Sequence, residues 1–144
     1  MARRRGGGAR IEGVRECSAA LSSLSKGVAR GVGRRALQVP ADMLVTAVKK
    51  NAAAIRFTGA LEESIEKRPE RARRGRPQVQ VRANDIAAIQ DEFGNSRMAA
   101  QPFFRPAVES EKGVMFEAFA AALKDETDKA VARAAKRAAK KAQG

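Results

Sequence analysis

The chain carries 29 Lys and Arg against 16 Asp and Glu over 144 residues, a formal net charge of +13, with no His, Trp or Tyr and a single Cys. Histidine-based triads, imidazole metal sites and internal disulfides are thereby excluded, and the length sets one domain as the expectation. Apolar residues make up 44% of the chain, yet 30 of them are Ala and only 28 are Leu, Ile, Val or Phe, near the ~20% level at which a highly charged chain struggles to build a core, so burial between subunits is expected.

Charge is segregated along the chain. Residues 1–35 carry a net +7, 36–65 are neutral, 66–82 carry +5, 83–128 carry −5, and 129–144 carry +6 with no acid. Different faces for different neighbours follow from such a pattern. Residues 1–10 read as a basic flexible N-terminus, 11–128 as one domain with a basic hairpin or arm at 66–82, and 129–144 as an Ala/Lys/Arg-rich tail.

Ile11, Val14, Cys17, Leu21, Leu24 and Val28 recur every three or four residues and predict a helix over about 11–27. Gly27, Gly31 and Gly33 are then expected to loosen the chain before a second helix bearing Leu37, Leu44, Val48 and Ile55, with Pro40 in its first turn or at a kink. Thr58 is positioned to cap a short turn carrying Ala60, Leu61 and Ile65. Gln78 to Arg82 alternates like a half-buried strand behind a turn at Arg74-Gly75-Arg76-Pro77. Asn84-Asp85 can cap a short helix with Ile86, Ile89 and Phe93, ended by Gly94. Pro102 suits the first turn of a long final helix with Phe104, Val108, Met115, Phe119 and Ala122 on one face. Beyond Lys124 that helix is mostly Ala, Lys and Arg, strong helix formers with little to bury.

No catalytic constellation emerges. Glu62-Glu63 and Asp91-Glu92 are adjacent acids that point in different directions on a helix and lack a nucleophile or a ligand set. Gly6-Gly7-Gly8 lacks the Lys-Ser/Thr end of a phosphate loop, and Gly31-Val32-Gly33-Arg34 lacks the third glycine of a dinucleotide loop, so both read as flexible spacers. Cys17, without a His to activate it, reads as a small core-facing residue in a reducing compartment. No enzyme activity, cofactor or metal is therefore expected. Phe93, Phe103, Phe104, Phe116 and Phe119 fall at helix-compatible positions and are expected to pack the core. Because no aromatic lies within the basic blocks, contact with nucleic acid would go to phosphates and not to bases. No apolar run approaches the roughly 18 residues of a membrane span.

Two segments carry a resemblance. The stretch Asp91-Glu92-Phe93-Gly94-Asn95-Ser96-Arg97-Met98-Ala99-Ala100-Gln101-Pro102-Phe103-Phe104-Arg105-Pro106-Ala107, preceded by Thr58-Gly59-Ala60-Leu61-Glu62-Glu63-Ser64-Ile65, resembles the neck-protein family of long-tailed, noncontractile bacteriophages. That family is described as tail components, head–tail connectors or tail-completion proteins. The likeness spans about residues 11 to 128 and departs from the family at Asn95, where Thr is usual, and at Arg56-Phe57, where Pro commonly precedes the Thr-Gly step. The basic N-terminus and the Lys/Ala tail lie outside the motif.

The resemblance implies an α+β fold, with a small antiparallel sheet, packed helices and a long C-terminal helix. It implies a structural virion protein at the head–tail junction, made in the host bacterial cytoplasm and forming a ring, sixfold to match the tail. Its partners would be further copies of itself, head-closure, tail-terminator or tail-tube subunits and, nonspecifically, genome DNA. A ring closes through heterologous contacts, for which the acidic 83–128 stretch and the basic 66–82 arm are a candidate pair. The expected assembly residues are Thr58, Gly59, Leu61, Ile65, Glu92, Phe93, Gly94, Gln101, Pro102, Phe103, Phe104, Arg105 and Pro106. Within them Gly94 would reverse the chain, Pro102 and Pro106 would stiffen it, Phe103 and Phe104 would face opposite sides, and Arg105 would grip Glu92 or an acid of the next subunit. Candidate contacts to DNA or an acidic partner are Arg3, Arg4, Arg5, Arg71, Arg73, Arg74, Arg76, Arg133, Lys136, Arg137, Lys140 and Lys141. A tail terminator of the same junction, or a histone-like nonspecific nucleic-acid-binding protein, is the alternative.

Overall fold

Three helices in sequence, a hairpin, a short helix and one very long helix make up the chain: α1 (Val14–Ser23), α2 (Lys26–Ile55), α3 (Ala60–Glu63), β1 (Ile65–Arg73), β2 (Arg76–Ala83), α4 (Ala88–Phe93) and α5 (Phe104–Ala142). The computed structural model describes residues 13–55 and 59–144. The fold is α+β. Ile11 and Thr58 lie outside the described residues, as do Arg3, Arg4, Arg5 and the Gly6–Gly8 spacer.

The first helical break differs from the glycine-based expectation. α1 ends where Leu24 turns extended, and Ser25 opens α2, its carbonyl accepting from Ala29 N at 2.9 Å. Serine competes for backbone hydrogen bonds outside helices and so punctuates them. Gly27, Gly31 and Gly33 instead sit inside α2. At Gly33 the missing side chain has a use, because a Cβ there would come within 2.7 Å of Pro77 Cγ, so glycine lets β2 lie against the helix. Pro40 is buried in mid-helix, where it donates no backbone hydrogen bond.

β1 and β2 form one antiparallel pair, with Ile65 opposite Ala83, Lys67 opposite Val81 and Pro69 opposite Val79, and an irregularity between Glu70 and Arg73. The connection is Arg74-Gly75, with φ of 51° and 80°, the double positive φ of a tight hairpin turn. Arg76 and Pro77 therefore belong to the strand and not to the turn. The hairpin lies along α2: Lys67 Nζ pairs with Asp42 at 2.5 Å near its base, and Pro77 meets Gly33 near its tip.

α5 runs antiparallel to α2, as two links fix. Asn51 Nδ2 donates to Phe103 O at 3.0 Å at one end, and Arg35 Nε donates to Glu126 Oε2 at 2.5 Å near the other. α1 packs on α5, where Thr127 Oγ1 donates to Leu123 O and lies 3.3 Å from Cys17 Sγ. Thirty-nine residues make α5 about 58 Å long, roughly twice the span of a small domain. The exposed area of 11125 Å² exceeds the roughly 7200 Å² of a close-packed monomer of this mass. One cluster of Val48, Ala52, Leu61, Ile65, Ala88, Phe103 and Ala107 forms the core. Among the described residues no helix is long and apolar enough to cross a membrane.

Candidate assembly site at the start of the last helix

The first turn of a helix has backbone N–H groups with no partner inside it. In α5 these belong to Phe103, Phe104 and Arg105, since Pro106 has none, and the N-cap residue Phe103 offers no side-chain acceptor. Glu92 answers all three from α4. Its Oε2 accepts from Phe103 N and Phe104 N, both at 2.9 Å, and its Oε1 accepts from Arg105 N at 3.1 Å and Arg105 Nε at 3.0 Å. The carboxylate is only 6% exposed. Burial alone would push its pKa up, but the three amides and the guanidinium outweigh that and hold it below the usual carboxylate range. Glu92 and Arg105 are thus joined as the sequence suggested, while the larger role of Glu92, a remote cap on α5, escaped sequence reading. Phe103 at an N-cap, where Ser, Thr, Asp or Asn is preferred, was the available signal.

Backbone geometry fixes the reach between α4 and α5. Gly94 N donates to Gln90 O at 2.7 Å, and its φ of 73° and ψ of 176° belong to a region open to glycine. A Cβ at Gly94 would stand 2.7 Å from Ala100 N and 2.9 Å from Met98 O, both backbone atoms. Asn95 and Met98 bridge the loop, with Asn95 Oδ1 accepting from Arg97 N at 2.8 Å, and Gln101 N donates to Asp91 O at 2.7 Å. Gln101, Pro102 and Pro106 have exposed side chains.

Phe103 enters the core at 1% exposure, beside Leu61 and Ile65 at 0% and 2%. The two motif segments therefore meet in one cluster, with Gly59 as the N-cap of α3 at φ 70°. Phe104 does not face away as expected. Consecutive residues at a helix start are only about 100° apart, and its ring packs edge-on to Phe103, centroids 6.3 Å apart, partly buried against the same core.

The large apolar residues of α4 and of the turn before it stand in solvent, against the core position expected for Phe93. Ile86 is 92%, Ile89 71% and Phe93 63% exposed. Only small Ala88 on this short helix reaches the core, because Glu92 and Asp91 occupy the inward positions. The three large side chains follow one another in sequence at steps of three and four, and all are largely exposed. Arg105 lies over the Phe93 ring at 5.0 Å, a cation–π contact that ties the row to the cap. Phe116, expected in the core, is 54% exposed on α5. It borders a groove of about 730 Å³ with Cys17, Leu21, Phe119 and Leu123.

The basic candidates occupy another region. Arg71, Arg73, Arg74 and Arg76 surround the hairpin tip, and Arg133, Lys136, Arg137, Lys140 and Lys141 lie on the last turns of α5, all exposed. The 129–144 tail is a direct continuation of α5, and Ala130 within it is buried at 4% exposure. Among the described residues no group of three Cys, Asp or Glu side chains is arranged to hold a metal ion. Compared with known proteins, the chain matches no family model, no curated protein and no solved structure.

Proposed function

We propose that this chain is a structural protein of the neck of a long-tailed, noncontractile bacteriophage, a tail-completion or head–tail joining component that acts as a ring of identical subunits and performs no catalysis. The observation that carries the reading is the meeting of its two motif segments around Phe103. Leu61 and Ile65 from the first segment share a core with Phe103 and Ala107 from the second, while Glu92, Gly94 and Arg105 lock the loop between α4 and α5. Each motif residue with a defined contact thus serves a rigid corner, and that corner presents Ile86, Ile89 and Phe93 to its surroundings. A rigid apolar edge on a thinly cored chain suits a subunit interface, where the ordering cost has already been met within the monomer.

Light scattering across a concentration series, with electron microscopy of the same samples, tests the proposal. Closed rings of uniform subunit number are expected, with thermal midpoints that rise with concentration. In the phage that encodes the chain, loss of the gene should leave filled heads and tails unjoined. A monomer at every concentration, or normal particles without the gene product, overturns the proposal.

A further inference from the structure

The fold gathers basic segments that are far apart in sequence. The first turns of α2 supply Lys26, Arg30, Arg34 and Arg35. The hairpin tip, which carries Arg71, Arg73, Arg74 and Arg76, lies beside the same turns through the Gly33–Pro77 approach. α5, antiparallel to α2, brings Lys129, Arg133, Lys136, Arg137, Lys140 and Lys141 to this end as well. Residues 26–35, 71–76 and 129–144 together hold fourteen Lys and Arg and no Asp or Glu.

Two of these charges are engaged: Arg35 with Glu126 at 2.5 Å and Lys129 with Asp125 at 2.7 Å. The other twelve form no ion pair among the described residues. A groove of about 530 Å³ between α2 and α5 is lined by Gly27, Gly31, Arg133 and Arg137 together with Ser23 and Ser25. Gathering so many like charges costs self-repulsion that a polyanion would relieve.

We propose that this basic end is a docking surface for the phosphate backbone of double-stranded DNA. Lys26, Arg30 and Arg34 of α2 belong to it along with the hairpin tip and the end of α5. The composition selects this occupant over two others. An acidic protein partner would be held by buried apolar or aromatic anchors, but the exposed large apolar side chains in these segments are Val28 and Val131, each only 38% exposed. Single strands are held by stacking on aromatic rings, and none of the three segments contains an aromatic residue. Duplex phosphates require neither. The inference is independent of the neck reading, since it rests on charge placement alone.

The test uses the full chain and a labelled mixed-sequence duplex, with binding followed by anisotropy as salt rises from about 50 to 200 mM, a range over which 6–10 phosphate contacts lose about 10³–10⁵ in affinity. Three paired variants, Arg30→Gln with Arg34→Gln, Arg74→Gln with Arg76→Gln, and Arg133→Gln with Arg137→Gln, should each lower the log–log salt slope by about 2 and leave the far-UV dichroism unchanged. Lys49→Gln with Lys50→Gln removes the same charge from the other end of α2 and should leave the slope as it was. The proposal is overturned if this control lowers the slope as much as the others, for then net charge and not placement governs binding. It is equally overturned if the α2 pair changes nothing, if a single strand binds as tightly as the duplex, or if polyglutamate at equal charge displaces the duplex.

Discussion

Glu92→Gln probes the remote cap with almost no change of shape. The two oxygens divide the work, Oε2 taking Phe103 N and Phe104 N, and Oε1 taking Arg105 N and Nε. A glutamine can serve one of these pairs and must turn its own NH₂ donor toward the other. Leaving a buried donor unsatisfied costs about 1–3 kcal/mol; because the Arg105 side chain is 61% exposed and its Nε can turn to water, about 2–4 kcal/mol, less than the full sum for two buried donors, is expected. For a chain of 144 residues, 1 kcal/mol corresponds to about 3 °C in melting temperature, which gives a drop of about 6–12 °C. With no Trp or Tyr to report by fluorescence, far-UV circular dichroism is the assay. The sign with pH follows from the lowered pKa of Glu92. Its stabilisation is complete above the unfolded value of about 4.3 and fades as acid protonates the folded carboxylate. The gap between wild type and variant should therefore be full near neutrality and close in acid below that value. A gap under about 2 °C at neutral pH, or one that persists unchanged in acid, would refute the capping role.

Four further outcomes follow, three at the corner and one at the far end of α5. Gly94→Ala should destabilise by at least about 2 kcal/mol through the positive φ and the backbone contacts at 2.7 and 2.9 Å, measured by denaturant titration; a neutral result would mean the loop can re-form. Phe103→Ala should cost about 3–5 kcal/mol, as for other buried aromatic truncations. Phe93→Ser combined with Ile89→Ser should leave monomer stability nearly unchanged but lower the assembled fraction in light scattering, and unaltered assembly would remove the α4 row from the interface. Truncation after residue 137 retains the buried Ala130 and should not change the melting temperature by more than a degree or two, about 0.5 kcal/mol.

What was legible in the sequence was the periodic and punctuated part. Leu61 and Ile65, the alternation of Gln78 to Arg82, Gly94 as a stop and the long final helix all correspond to observed elements. Each follows from local rules of period, φ or propensity. The misread positions depend on contacts distant in sequence. Gly27, Gly31 and Gly33 read as a loosened segment because propensity counts the entropy of glycine; at Gly33 it omits the strand that needs the missing side chain. Phe93 reads as a core residue, yet it is exposed, because period identifies a face but not what covers it. Charge complementarity offers Arg105 as a partner for Glu92, but most of the hydrogen bonds of Glu92 go to backbone N–H groups eleven to thirteen residues away.

The corner and the basic end impose different demands, and the antiparallel pair of α2 and α5 keeps them apart. At the corner, large apolar side chains stand exposed beside a capped and ion-paired loop. At the far end, Ala and Gly line the contact between the helices, with charged side chains around it. Mixing the two would weaken both. Apolar contacts lose little to salt, whereas charge contacts at exposed positions are screened within about 8–10 Å at physiological ionic strength. Assembly through the α4 row should therefore persist at salt concentrations that release DNA from the basic end. Light scattering and anisotropy on the same salt series can compare the two losses directly. Parallel loss of oligomer and DNA binding would show that charge holds the subunits together, and would reassign the exposed row on α4.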